Sequence, residues 1–126
     1  MAMTQRQALD LWRCALTAYV RSDESDMTAR QQAVLMTVAL TPGPHTVRGL
    51  SGHLNIAKPA VTRALDVLER NDLIKRFPDE IDLRSVHIER TTKGMDWLRA
   101  FGGQIQAAEA GEIVDEQPSE LGRAVA

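Results

Sequence analysis

At 126 residues, with 44% hydrophobic and 25% charged side chains, the chain has the size and balance of one small globular domain. No apolar run approaches the roughly 20 residues that cross a bilayer, the opening MAMTQRQALDLWRC lacks a signal-peptide pattern, and the one cysteine, Cys14, excludes an internal disulfide and a thiolate zinc cluster. No membrane, metal or cofactor is expected, the location is expected to be cytoplasmic, and the net charge of −2 is concentrated late: Glu109, Glu112, Asp115, Glu116 and Glu120 oppose only Arg123, leaving 14 basic and 12 acidic residues before position 104.

Apolar residues Leu9, Trp12, Leu16, Tyr19 and Val20 recur at three and four positions, which predicts an amphipathic helix from Gln7 to Val20. The polar run RSDESD ends it. Thr28 with Gln31 three residues later forms a capping-box signature ahead of Val34, Leu35 and Val38. TPGP stops this second helix, because Pro42 has no amide hydrogen and turns Thr41 away from helical angles. A short third helix is predicted from Thr46, with Val47, Leu50 and Leu54 inward and Asn55 in a left-handed turn. A fourth runs from about Lys58 to Arg70, where Pro59 in the first turn forfeits only an amide without a helical partner. The period then changes. LIKRF and SVHIER alternate and flank the charged PDEIDLR, which reads as a β-hairpin with a long tip. Thr91 starts a last helix through Met95, Leu98 and Ile105, weakened near Gly102 and Gly103. Residues 1–110 are expected to form the domain and 111–126 an acidic flexible tail.

In the fourth helix, residues at 100° intervals put Val61, Leu65 and Leu68 on one flank, with Ala57 and Ala64 at its edge. Pro59, Thr62, Arg63, Asp66 and Arg70 occupy the other flank. A short helix, a tight turn, this helix and a charged hairpin in that order are a winged helix-turn-helix pattern, so the fold class is mainly α with a small β component. A helix of that diameter fits the major groove of B-form DNA, with Lys58, Pro59, Thr62 and Arg63 in the half that reaches base edges. A polar face that is only solvated is the plainer alternative.

Four segments, TARQQAVL, IAKPAVTRALDVLERNDLIKR, DEIDLRS and TTKG, resemble the MarR family of winged-helix bacterial regulators over residues 28–98. The resemblance implies a homodimeric regulator, expected to be a repressor, that is nucleoid-associated and reads a near-palindromic operator in double-stranded DNA, with Asp82, Arg84 and Ser85 of the wing at the minor groove. The backbone amides and hydroxyl of Thr46 suit a phosphate, and Arg48, Lys75, Arg76 and Arg90 are further phosphate candidates. The dimer interface is expected from flanking helices through Leu9, Trp12, Leu16, Leu98, Phe101 and Ile105. A small-molecule effector stays open.

Three departures from the family pattern stand out: Ala57 replaces a serine cap, Arg90 replaces an apolar strand residue, and the terminal helices are short. Cys14 is expected to be a small buried side chain rather than a redox sensor. Catalysis has little support, since His45, His53 and His87 lack metal spacing and no nucleophile with an oriented base can be identified. The rival function is a winged-helix adaptor that binds protein instead of DNA, which salt dependence separates.

Overall fold

A capping box opens each of the first two helices. Thr4 Oγ1 accepts from the Gln7 amide at 3.1 Å while Gln7 Oε1 accepts from the Thr4 amide at 2.9 Å, starting α1 (Gln5–Arg21) two residues earlier than its apolar period indicates. Thr28 and Gln31 make the same exchange ahead of α2 (Ala29–Leu40). Each box satisfies two amides that a helix start leaves unpaired. The computed structural model describes residues 2–24, 26–82 and 84–111, so Leu83 and the acidic tail beyond residue 111 lie outside the described residues. The remaining elements are β1 (His45–Thr46), α3 (Val47–Leu54), α4 (Lys58–Arg70), β2 (Ile74–Pro78), β3 (Val86–Arg90) and α5 (Thr92–Glu109).

The described residues form two compact units, one within residues 26–99 and one combining residues 2–24 with 100–111. In the first, the strands make an antiparallel sheet in the order β1-β3-β2, so the expected two-stranded wing gains a third strand. His45 pairs with Ile88 and Thr46 with His87 in this extra ladder. Two residues are too short for an alternating pattern to reveal a strand in advance. The rest is the winged helix-turn-helix with its mainly helical composition.

The core of this unit is aliphatic. Leu35, Val61, Leu65, Leu68 and Ile74 are wholly buried, and Leu50 and Ile88 are nearly so. Each such side chain contributes roughly 1.5–3 kcal/mol on burial. The turn from α3 to α4 is built from small polar chemistry. Asn55 adopts φ 54° and ψ 47°, Ser51 Oγ donates to the Ile56 carbonyl at 2.6 Å, and the Ile56 amide donates back to the Ser51 carbonyl at 3.2 Å. Asparagine tolerates the left-handed region better than most residues.

Thr91 ties α5 to the turn before the wing. Its hydroxyl donates to the Asp72 carbonyl at 2.6 Å and accepts the Gly94 amide at 2.9 Å. Gly94 is required here for space, since a Cβ would stand 2.2 Å from the Leu73 carbonyl oxygen. Arg90, the departure before this motif, donates at 2.8 Å to the Ala39 carbonyl at the end of α2. A cation at a helix C-terminus satisfies an orphan carbonyl and complements the dipole.

In the other unit, Ala15 and Tyr19 of α1 and Phe101 of α5 are buried. The Phe101 ring meets Tyr19 edge-on at 5.8 Å and Trp12 at 6.1 Å. Gly102 and Gly103 do not weaken α5 enough to end it: the helix continues to Glu109, and a Cβ at either glycine would meet nothing within 4 Å. Cys14 is partly exposed, not fully buried as expected.

Candidate nucleic-acid interface

The lower flank of α4 fixes what its upper flank presents. Ala60, Val61, Ala64, Leu65 and Leu68 are all buried, a continuous stripe along the helix, whereas Lys58, Pro59, Thr62, Arg63, Asp66 and Arg70 are exposed. Ala57 caps the helix without a side-chain bond, and Pro59 stands in the first turn. Proline is pre-set for a helix start and has no amide there to leave unpaired. Lys58 and Arg63 enter no ion pair with another described residue.

The acids of this helix are occupied. Arg76 of β2 sits with Nη2 2.9 Å from Asp66 Oδ1 and 3.0 Å from Glu69 Oε1, and its amide donates to Glu69 Oε2 at 3.0 Å. The Arg76 hydrogen bond holds Glu69 below the usual carboxylate range, and Glu69 in turn raises Arg76. The structure therefore places Arg76 in a bridge between helix and wing, with its guanidinium already engaged, unlike the neighbouring exposed Lys75. With Asp66 paired, the outward face of α4 is left with a positive bias.

At the wing tip, Arg84 is 95% exposed, with Nε 3.5 Å from Asp82 Oδ1. Asp82 also accepts from the Arg84 amide at 3.1 Å and from Ser85 Oγ at 3.2 Å, so Asp82, Arg84 and Ser85 are bonded to one another. Asp79 accepts the amides of Ile81 and Asp82 at 2.7 and 3.0 Å and receives His87 Nε2 at 2.5 Å. These bonds, the His87 bond foremost, bring its pKa down to about 2. Nothing in the composition of the tip singles out Asp79; only the hairpin register, which pairs Phe77 with His87, brings the two side chains together.

Thr46 caps α3, its hydroxyl accepting the Gly49 amide at 3.0 Å, and Arg48 beside it is exposed. The residues expected at a dimer interface separate by environment. Leu9 and Trp12 are 67% and 45% exposed and Leu16 and Ile105 half-buried, while Leu98 packs into the core of residues 26–99 and Phe101 is buried against Tyr19. Leu9, Trp12, Leu16 and Val20 line an apolar groove of about 590 Å³ on α1.

Residues 27–86, which hold α2 through the first residue of β3, match the model of the MarR family. Over this stretch the winged helix-turn-helix matches that of the MarR family. MarR-type domains are DNA-binding modules of transcriptional regulators, not enzymes. Solved MarR-type structures share the fold. A single-residue variant of S. aureus MepR bound to an oligodeoxyribonucleotide matches with a TM-score of 0.72 at 24% identity, over 94% of this chain and 84% of that one. Streptococcus pneumoniae FabT in complex with DNA matches with 0.60 at 24% identity, over 96% and 89%. S. aureus MepR bound to ethidium bromide gives 0.61 at 22% identity, over 94% and 82%. No match is found among curated protein sequences. Among the described residues of this chain, no helix is long and apolar enough to cross a membrane and no cluster suits a metal ion.

Proposed function

We propose that the chain is a sequence-specific regulator of transcription that acts as a homodimeric repressor, with α4 in the major groove of a near-palindromic operator and the wing arginine in the flanking minor groove. The carrying observation is the division of α4 into a fully buried stripe and an outward face on which Lys58, Thr62 and Arg63 stand exposed. Arg63 suits the bidentate contact to guanine O6 and N7, and Thr62 a base edge or a thymine methyl. Arg84 is drawn by the enhanced negative potential of a narrow A·T minor groove. Thr46, Arg48 and Lys75 serve the phosphates, which set register and carry no sequence information.

The exposed stripe Leu9, Trp12 and Val20 on α1 supports a second copy of the chain as its cover, because a soluble protein rarely leaves such a face to water. Two copies related by a two-fold axis match a palindromic site. The ethidium complex of MepR, a protein of the same fold, supports release of DNA by a small ligand.

Selection from random duplexes, run on the unaltered chain and on Arg63→Ala and Arg84→Ala, tests the reading. An enriched palindrome that loses definition at different positions in the two variants is expected, with binding that weakens steeply as salt rises. Selectivity unchanged in both variants, or partner binding indifferent to salt, would point instead to a protein-binding adaptor.

A further inference from the structure

An exposed arginine on an exposed aspartate is held weakly, since such pairs are screened by water and leave a flexible side chain free to leave them. Arg84 and Asp82 are such a pair by exposure. What distinguishes this wing is the layer of bonds behind them. Asp79 Oδ1 takes the amides of Ile81 and Asp82, and the Asp79 amide donates to the Ser85 carbonyl at 2.9 Å, closing the base of the tip. The other oxygen, Oδ2, takes His87 Nε2 at 2.5 Å from the second residue of β3. An ionised carboxylate only accepts, so Nε2 carries the proton. His87 is itself fixed by strand pairs to Phe77 on one side and Thr46 on the other.

We propose that Asp79 and His87 are positioning residues that orient Arg84 for the minor groove by anchoring the backbone of the wing tip to the three-stranded sheet; the inference rests on the DNA reading above. The order of bonds is sequential. His87 fixes Asp79, Asp79 fixes the amides at 81 and 82, and Asp82 then receives the amide and guanidinium of Arg84. A group already aimed at its target forfeits less conformational freedom on binding than one that must be ordered at that moment. The effect falls on the one contact that senses groove width, so it is read as flank discrimination and not as affinity in general.

The test compares two duplexes carrying the selected operator, one with A·T and one with G·C pairs at the wing-facing flank, titrated with the full chain. Arg84→Ala is expected to abolish a preference of about tenfold for the A·T flank. Asp79→Ala is expected to abolish the same preference with Arg84 intact, the Asp79→Ala, Arg84→Ala double variant to lose nothing more, and Asp79→Asn, which keeps an acceptor for both amides and can donate its amide N–H to Nε2 of the other imidazole tautomer, to restore it. His87→Phe gives the same comparison with the Asp79 turn bonds retained, should Asp79→Ala fail to fold. Equal weakening on both duplexes, or losses that add in the double variant, would overturn the positioning role and leave the DNA reading intact. If Arg84→Ala changes neither duplex while the operator is still bound, the wing contact fails, and this inference with it.

Discussion

Arg76 and Glu69 join the first strand of the wing to the last turn of α4 through both side chain and backbone: Nη2 and Nε of Arg76 lie 3.0 and 3.3 Å from Glu69 Oε1, and the Arg76 amide donates to Oε2 at 3.0 Å. Asp66, one turn earlier, takes Nη2 at 2.9 Å. The helix that faces outward and the hairpin beside it are thus coupled by a bidentate-like grip and not by the aliphatic core alone. Arginine suits this role because its fork of donors can serve two carboxylates at once.

Arg76→Met and Glu69→Ala are each expected to lower unfolding stability by about 1 kcal/mol, the ordinary net value of partly exposed charged hydrogen bonds. The double variant should lose less than the two singles together, because each already removes the shared contact. Urea unfolding of the four chains measures this; fully additive losses would show that the bridge contributes no coupling.

Acid should weaken the fold through two carboxylates. Glu69 lies below its ordinary value because of Arg76, and Asp79 falls from 3.8 to about 2 because of His87 and two amides. A carboxylate depressed in the folded state binds fewer protons than in the unfolded chain, so its stabilisation is complete above the unfolded value and disappears as pH falls through the folded one. Between about pH 4.5 and pH 2 the urea midpoint should therefore drop, and Asp79→Asn should drop less steeply across that window. A slope unchanged by the substitution would remove Asp79 from the account.

Two glycines of α5 should respond in opposite directions to alanine. At Gly94 the new methyl would stand 2.2 Å from the Leu73 carbonyl oxygen, a backbone atom that cannot swing aside, and a loss of roughly 1–3 kcal/mol is expected, as for other overpacked sites. At Gly103 nothing lies within 4 Å and the backbone is helical, so alanine should stabilise by about 0.5–1 kcal/mol. Thermal unfolding of both variants checks the contrast.

Arg63 and Lys75 should differ in kind when each becomes alanine. Arg63→Ala is expected to relax specificity at one base pair, at roughly 1–3 kcal/mol for that position. Lys75→Ala should weaken binding evenly across sequences and reduce the magnitude of the salt slope by about 1. Titration of a matched and a singly mismatched operator at several salt concentrations reads both; equal effects on the two duplexes from Arg63→Ala would deny it a base contact.

The helices were legible in the chain because their signals are local. Thr28 with Gln31, Pro42, Asn55 and Pro59 each act within a turn of where they stand, and the predicted and observed bounds of α4 coincide at Lys58 and Arg70. The buried set Val61, Leu65 and Leu68 follows from helical spacing in the same way. What the chain conceals is pairing across distance. Arg90 reaches Ala39 across 51 positions, and β1 exists because β3 offers it a ladder. Arg76 reads in the sequence as a phosphate candidate, and nothing in the spacing of the acids indicates that Asp66 and Glu69 share it. Thr4 was a missed local signal, since its capping box uses a Gln7 that the apolar period had already assigned to the helix.

The crowding at Gly94 says which parts of TTKG answer to architecture. The Leu73 carbonyl leaves no room for a methyl at Gly94, and the threonine three places earlier gives its hydroxyl to the Asp72 carbonyl while accepting that same glycine's amide. None of these atoms reaches outward. Under the proposed DNA reading, a descendant of this chain that had abandoned its ligand altogether would still need them, and would drift first at Arg63, which enters no ion pair with another described residue.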